Sequence, residues 1–467
     1  MDLSRDDITL RDIAACFEGA IPAVIATASV DGLPNVTYLS KVRIVDDERV
    51  ALSNQFFSKT ARNLVENPEA DVLVIDPRSY DQYRLHLRYE RTDRRGPVFD
   101  RLRIDVDVAA ALEGMQDVYK LRAADVYRVT DIQHVPSGRP PADPELLAAA
   151  PDGMDAGRIA ELSSRLGRCP DLDTVVQTAV SGLAELFGYE HSLLLLLDED
   201  GTTLFTIASH GYEAEGVGSE VGLGDGVIGL AAERCTAVTL GNVTQLSKYS
   251  RTVRRSYEES GEIGPGREVP VPGLPDSASR CAVPAMVLGQ LIGVLTVESR
   301  RTVAFGPADE AVLTVVASIL ANAIESERAR ERDATPASAP PPDAPPTGEG
   351  DVTHVRFFDV DGSVFLDGEY LIKGVAGRLL WALLGHHDRE GRTDFTNREL
   401  RLDPSLALPA FKDNFESRLI LLKRRLDERD APVRIEKTGR GRFRLVSSGA
   451  VRLDQVDDTR GAGGRLS

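Results

Sequence analysis

Apolar and polar positions along the chain change period in a regular way. Residues 7–19 carry apolar positions at helical spacing and predict a short amphipathic helix. IPAVIATASV and LPNVTYLSKVRIV alternate around Asp31-Gly32 and predict two strands joined by a tight turn. Asp46-Asp47 forms a second turn before the strand RVALSNQ. After Ser58 the spacing becomes helical through KTARNLVENPEA. It stops at Asn67-Pro68, because a residue before proline avoids the helical region. ADVLVID is again a strand. Short strands, tight turns and few helices predict a small β-barrel.

The middle of the chain reads differently. RIAELSSRLGRC and LDTVVQTAVSGLAELFG are helices, and HSLLLLLDEDGTTLFTIASHG is a pair of strands around a DG turn. VGLGDGVIGLAAERCTAVTLGNV reads as loop, short helix and strand. ASRCAVPAMVLGQLIGVLTVES is an apolar hairpin turning at Gly289-Gln290. A long helix closes this part, with Val312, Val316, Ile319, Leu320, Ala323 and Ile324 as its apolar stripe. The last third opens with short strands in VRFFDVDGSVFLDGEYLIKG. Three helices follow, GVAGRLLWALLGHHDREG, FTNRELRL and PAFKDNFESRLILLKRRLDERD. VRIEKTGRGRFRLV ends it as a hairpin with Gly439 and Gly441 at the tip. Thr396 or Asn397 would cap the second helix.

Two stretches lack the apolar residues for a core. They are SGRPPADPELLAAAPDG (137–153) and DATPASAPPPDAPPTGEG (333–350), and both read as extended spacers. The expected division is a first domain over 1–137, a linker over 138–155 and a second domain over 156–329. A Pro/Ala-rich linker over 330–351, a third domain over 352–447 and a polar tail over 448–467 complete it.

Composition narrows the function classes. The 467 residues carry a net charge of −18, which argues against nucleic-acid binding by the whole surface. From Phe411 to Val446, however, eleven Lys or Arg stand against six Asp or Glu. That net +5 leaves −23 for the rest of the chain and marks a local cationic footprint. Four scattered cysteines exclude a disulfide scaffold and a thiolate zinc finger. No apolar run reaches the roughly 18 residues that span a bilayer, and the acidic N-terminus lacks an apolar signal core. A soluble cytoplasmic protein without membrane contact is therefore expected. HExxH, GxSxG and Walker loops are absent, so no catalytic residue and no metal site are assigned.

The first chemistry-bearing stretch is Ser53-Asn54-Gln55-Phe56-Phe57-Ser58-Lys59-Thr60, where a strand ends and a helix begins. Free N–H groups, hydroxyls and a Lys at a helix start suit an anion, although a Ser cap beside an exposed Lys has the same spacing. Over residues 8–136, most specifically in GLPNVTYLSKVRIVDDERVALSNQFFSKTARNLVENPEADVLVID, the chain resembles the pyridoxamine 5′-phosphate oxidase-like split barrels. That resemblance implies a homodimer with FMN at its interface. Lys41, Ser58, Lys59 and Thr60 would hold the flavin phosphate. Val42 would offer backbone to the isoalloxazine, and Ser53 and Asn54 would line the ribityl side. Other barrels of the family bind other cofactors, so F420 and haem stay open as alternatives. The Arg and His groups that hold the substrate in the oxidase proper have no clear equivalent.

GLGDGVIGLAAE, TAVTLGNV and PAMVLGQLIGVLTVES make residues 156–329 resemble a GAF domain. The resemblance implies a six-stranded antiparallel sheet backed by helices. Cys235 and Cys281 are candidates for redox chemistry or tetrapyrrole attachment, or are small buried apolar residues. His191 and His210 are candidate haem ligands, or satisfied histidines. The ligand is unread, and the segment from Ser247 to Ser277 is a candidate lid.

Over 354–447, the pieces DGEYLIKGVAGRLLWALLGH, FTNREL, NFESRLILLKRRLDE and KTGRGRFRL resemble the winged-helix effector domain of bacterial response regulators. The resemblance implies a third helix in the major groove and a wing in the minor groove. Asn414, Ser417, Arg418, Lys423 and Arg424 would face DNA, and Arg440 and Arg442 would be wing contacts. Alternation along the hairpin places Arg440, Arg442 and Arg444 on one face. The tip departs from the family's usual Gly–Gly–Tyr, and no receiver domain precedes it. The chain is thus expected to be a multidomain α+β protein with an N-terminal split β-barrel, a central GAF α/β sensor domain and a C-terminal winged helix. Two functions follow from this reading. One is a one-component sensor and transcription regulator. The other is an FMN-dependent oxidoreductase with a regulatory GAF domain and a protein-binding C-terminal domain.

Overall fold

The computed structural model describes residues 8–18, 21–39, 41–54, 58–77, 79–112, 120–136, 155–212, 216–241, 273–274, 276–333, 352–360, 362–406, 415–439 and 441–456. The first domain contains α1 (Ala15–Glu18), β1 (Ala23–Ala28), β2 (Pro34–Leu39), β3 (Val42–Asp46) and β4 (Arg49–Asn54). It continues through α2 (Ser58–Glu66), β5 (Glu69–Ile75), β6 (Gln82–Asp93), α3 (Pro97–Leu112) and β7 (Ala123–Val135). The strands form one sheet in the order β2-β1-β5-β6-β7-β4-β3. Its two end strands are neighbours in sequence, so the sheet curls into a barrel. Ile25, Leu39, Leu52, Val72, Leu85 and Leu87 fill it from alternating positions.

Two expectations change here. Among the described residues of the helix expected over 7–19, only 15–18 are helical, because Asp12 accepts from the backbone N–H and hydroxyl of Thr9 and holds a local turn instead. The single strand after Asp31-Gly32 is two, β2 and β3.

The second domain contains α4 (Ala156–Gly167), α5 (Leu172–Phe187), β8 (His191–Leu197), β9 (Thr203–His210) and β10 (Glu220–Gly222). Then come α6 (Gly226–Arg234), β11 (Val238–Leu240), β12 (Ser279–Val287), β13 (Gln290–Ser299) and α7 (Pro307–Asp333). Its six antiparallel strands run in the order β10-β9-β8-β13-β12-β11. Helices α4, α5 and α7 pack on one face, and α6 packs on the other with Val108 of α3. Asp155 and Asp171 cap α4 and α5, and Gly188 ends α5 at φ +74°, a conformation that favours glycine. In α7, Val312, Val316, Leu320 and Ile324 are buried, whereas Ile319 and Ala323 are half-buried. That helix also corrects the membrane arithmetic: Pro307–Ala329 is long and apolar enough to cross a bilayer by length and composition, and here its stripe lies on the sheet. The candidate lid lies outside the described residues except for 273–274 and 276–277, as do both linkers apart from their last and first few residues.

The third domain contains β14 (Thr353–Phe358), β15 (Ser363–Leu366), β16 (Glu369–Ile372), α8 (Gly374–Glu390) and β17 (Asp394–Thr396). It ends with α9 (Asn397–Arg401), α10 (Phe415–Glu428), β18 (Val433–Gly439), β19 (Arg442–Ser447) and β20 (Val451–Val456). One sheet runs β16-β15-β14-β20 and the other β17-β19-β18. Thr396 and Glu399 form a reciprocal capping box at α9. Trp381 of α8 stacks on Phe357 at 5.0 Å between ring centres. The expected polar tail is corrected over 451–456, which is strand β20, parallel to β14 in the register Thr353↔Val451. Val451 and Leu453 pack on the apolar core from an otherwise polar segment. The apolar cluster of the second domain's helix face continues into that of the third.

Candidate functional site

In the barrel, β4 ends at Asn54 and α2 starts at Ser58. The Thr60 hydroxyl is buried and accepts from Asn35 Nδ2 at 2.9 Å. Lys59 is exposed and has no hydrogen-bond or ion-pair partner among the described residues. Lys41 precedes β3, and its backbone is tied to Ser53: its N–H donates to Ser53 Oγ and its carbonyl accepts from Ser53 N, both at 3.0 Å. Val42 is buried opposite Leu52.

Ser53 and Asn54 are each hydrogen-bonded to another segment of the first domain. Ser53 is only 1 % exposed, and its hydroxyl already serves Lys41. Asn54 Nδ2 donates to Asp125 at 2.8 Å, and Thr92 donates to the same carboxylate at 2.6 Å. Burial pushes the Asp125 carboxyl above its ordinary range, and those two hydrogen bonds oppose the rise. The side chain of Ser58 and residues 55–57 lie outside the described residues. Lys59, exposed at the start of α2, is the described cation there that suits a phosphate, while Thr60 is buried against Asn35.

Lys41 also lines a cavity of about 520 Å³ between the first two domains. Arg43 there pairs with Asp105 at 2.9 Å, and Arg101 of α3 pairs with Glu310 of α7 at 3.3 Å. Ser53, Asn54, Lys59 and Thr60 do not line it, so Lys41 faces the second domain rather than sharing this cavity with Lys59. Sequence spacing carries no sign of Arg43 and Arg101, because the wall forms only when two domains meet.

In the second domain, Cys281 is fully buried, burial pushes its thiol up to about 12, and Thr239 donates to it at 3.3 Å. That chemistry suits a core residue, not a redox or attachment cysteine. Cys235 is exposed at the end of α6 with φ +48°. His191 is buried with its ring edge-on to Tyr212 at 5.4 Å, and His210 is half-buried at the end of β9. Beside His191 lies a buried ion pair, Arg280 with Glu298, which also takes hydrogen bonds from Leu274 N and the Tyr212 hydroxyl. Among the described residues, no three His, Cys, Asp or Glu side chains gather as metal ligands.

In helix α10, cations expected to face DNA are paired with carboxylates of the second domain. Ser417 is buried. Arg418 forms a two-pronged pair with Glu199, 3.1 and 2.6 Å, and its guanidinium lies 3.8 Å above the Phe205 ring centre. Arg424 donates to Asp173 at 2.8 and 3.2 Å and to the Ile207 carbonyl at 2.7 Å. Lys423 reaches Asp173 at 3.1 Å. Burial raises the Asp173 carboxyl, but Arg424 and Lys423 outweigh it and hold the group below its ordinary range. These three cations thus face the second domain. In the hairpin, Arg442 is half-buried and Arg444 pairs with Asp394 at 3.0 Å. Asn414 and Arg440 lie outside the described residues.

Fold and residues together define a multidomain α+β protein that joins a β-rich barrel to an α/β sensor-type domain. Residues 10–130 match the family model "Pyridoxamine 5'-phosphate oxidase", and residues 169–325 match the model "GAF domain". The chain is 30 % identical over 116 residues to "Uncharacterized protein MJ0282" of Methanocaldococcus jannaschii, covering 24 % of this chain and 72 % of that protein, and belongs to one family with it. Among solved structures, it is similar to the GAF domain of a phosphoenolpyruvate-protein phosphotransferase from Coxiella burnetii. That match has 21 % identity, covers 38 % of this chain and 95 % of that one, and has a TM-score of 0.31. It is also similar to an FMN-binding protein from Syntrophomonas wolfei subsp. wolfei, with 19 % identity, 27 % and 90 % coverage and a TM-score of 0.23.

Proposed function

We propose that the chain is a one-component sensor and transcription regulator of the cytoplasm. Its barrel and GAF domain are inputs, and its third domain is a winged-helix DNA-binding output. The observation that carries this reading is the third domain's order of elements. A sheet and helix are followed by a capped short helix, a helix bearing Arg418, Lys423, Arg424 and Arg425, and a two-stranded hairpin bearing Arg442 and Arg444. That order, in an otherwise acidic chain, supports a localised nucleic-acid footprint. The barrel would hold FMN by its phosphate through Lys59, with a homodimer formed through β2, whose Val36 and Tyr38 are exposed side by side on one face. Bound flavin would supply redox chemistry, and the chain's own residues would supply the phosphate grip.

The second reading, a flavin-dependent oxidoreductase, is favoured by Lys59 at the start of α2, exposed and without an ion-pair partner among the described residues. Titrating duplex DNA into the full chain between about 50 and 200 mM salt separates them. A regulator loses affinity steeply as salt rises, through counterion release. Duplex binding that is indifferent to salt overturns the DNA reading.

A further inference from the structure

We infer that the acidic margin of the GAF domain, built from Asp171, Asp173 and Glu199, is a docking surface for α10 that competes with DNA for the same cations. The inference rests on the DNA-binding reading above and adds its regulation.

Four cations of the third domain meet this margin. Arg418 meets Glu199, Lys423 and Arg424 meet Asp173, and Lys437 of β18 meets Asp171 at 3.2 Å. The Arg418–Glu199 pair is enclosed, with side chains 11 % and 9 % exposed. A planar guanidinium gripping a carboxylate through two N–H groups makes the same fork it would make with a phosphate. Here the carboxylates stand where a DNA backbone would supply anions. Arg424 has also spent a donor on the Ile207 carbonyl, and Arg418 is sandwiched on Phe205. One guanidinium cannot hold both sets of acceptors. DNA binding by α10 therefore requires the third domain to leave the GAF domain.

The attachment points give the surface a route for control. Asp171 and Asp173 stand at the N-cap and first turn of α5, Phe205 and Ile207 are on β9, and Glu199 is in the turn before β9. All five belong to the framework of the sensor-type domain. A change in the relation of α5 to β9 pulls Asp173 away from Ile207 and splits the two acceptors of Arg424.

The test uses the full chain carrying Asp173→Asn and Glu199→Gln, amides that keep shape and remove charge, and a second form carrying Asp173→Lys and Glu199→Lys. The probe is a duplex of random sequence at low salt. The expected result is DNA affinity raised over the parent by about 5–150-fold, the usual range of intramolecular coupling, with the Lys form at least as tight as the amide form. Hydrogen exchange over 415–428 should rise in both forms and shows that the helix has been released. Equal, salt-sensitive DNA affinity in parent and variants overturns the competition and leaves the DNA-binding reading standing. Release of 415–428 with no DNA binding in any form overturns both.

Discussion

Arg424 is held by three acceptor atoms and Lys59 by none among the described residues. That contrast separates structural cations from those available to a ligand. Lys59→Ala is expected to weaken FMN binding by roughly tenfold to hundredfold, the weight of one charge-assisted hydrogen bond. The check is the visible flavin absorbance retained after gel filtration; unchanged retention sinks the phosphate assignment. At Asp173 the sign of pH dependence follows from its lowered pKa. A depressed carboxylate contributes stability above its unfolded pKa, about 3.9, and that contribution is lost as pH falls through the folded value. The docked third domain should therefore be fully held at neutral pH and loosen in acid. Asp173→Asn should flatten the acid limb of the thermal-stability profile; an unchanged limb contradicts the pairing. The start of α2 at Ser58 was legible from sequence because the change from strand to helix spacing is local. The duties of Ser53 and Asn54 were not, because their partners Lys41 and Asp125 come from other strands.

At the scale of elements, most strands and helices follow from alternation and capping, since local pattern dictates them. The exceptions are short or polar. Residues 8–14 lost their helix to the side-chain bonds of Asp12, and β20 reads VRLDQV, with too few apolar positions to stand out. Close approach of elements adds a constraint that propensity misses. In α8, a Cβ on Gly377 would lie 1.9 Å from the carbonyl oxygen of Gly362. Gly377→Ala gains up to about 1 kcal/mol of helix propensity, but the clash should cost more, about 1–3 kcal/mol net. Thermal or denaturant unfolding reads it, and a stabilised variant would mean α8 can shift outward.

At the scale of the whole molecule, both apolar contact and charge join the second and third domains. The basic segment that sequence marks as a nucleic-acid face is covered by carboxylates of another domain, an arrangement that no single stretch of sequence contains. The cavity at Lys41, Arg43 and Arg101 is invisible for the same reason. The first domain instead leaves Val36 and Tyr38 uncovered on β2. Tyr38→Asp should shift the proposed homodimer toward monomer in light scattering, because a charge desolvated at an apolar contact is costly; an unaltered mass would place the dimer contact elsewhere.

The pairing of β20 with β14 has a consequence in time. Thr353 must wait for Val451, close to the far end of the chain, before its sheet is complete. Such distant pairing makes closure slow compared with local helices. On the ribosome, the barrel and the GAF domain would emerge and fold first, while β14 stays an open edge. The acidic margin is then already in place when the cationic helix is finished, so under the regulation proposed above each new molecule would be born with α10 docked.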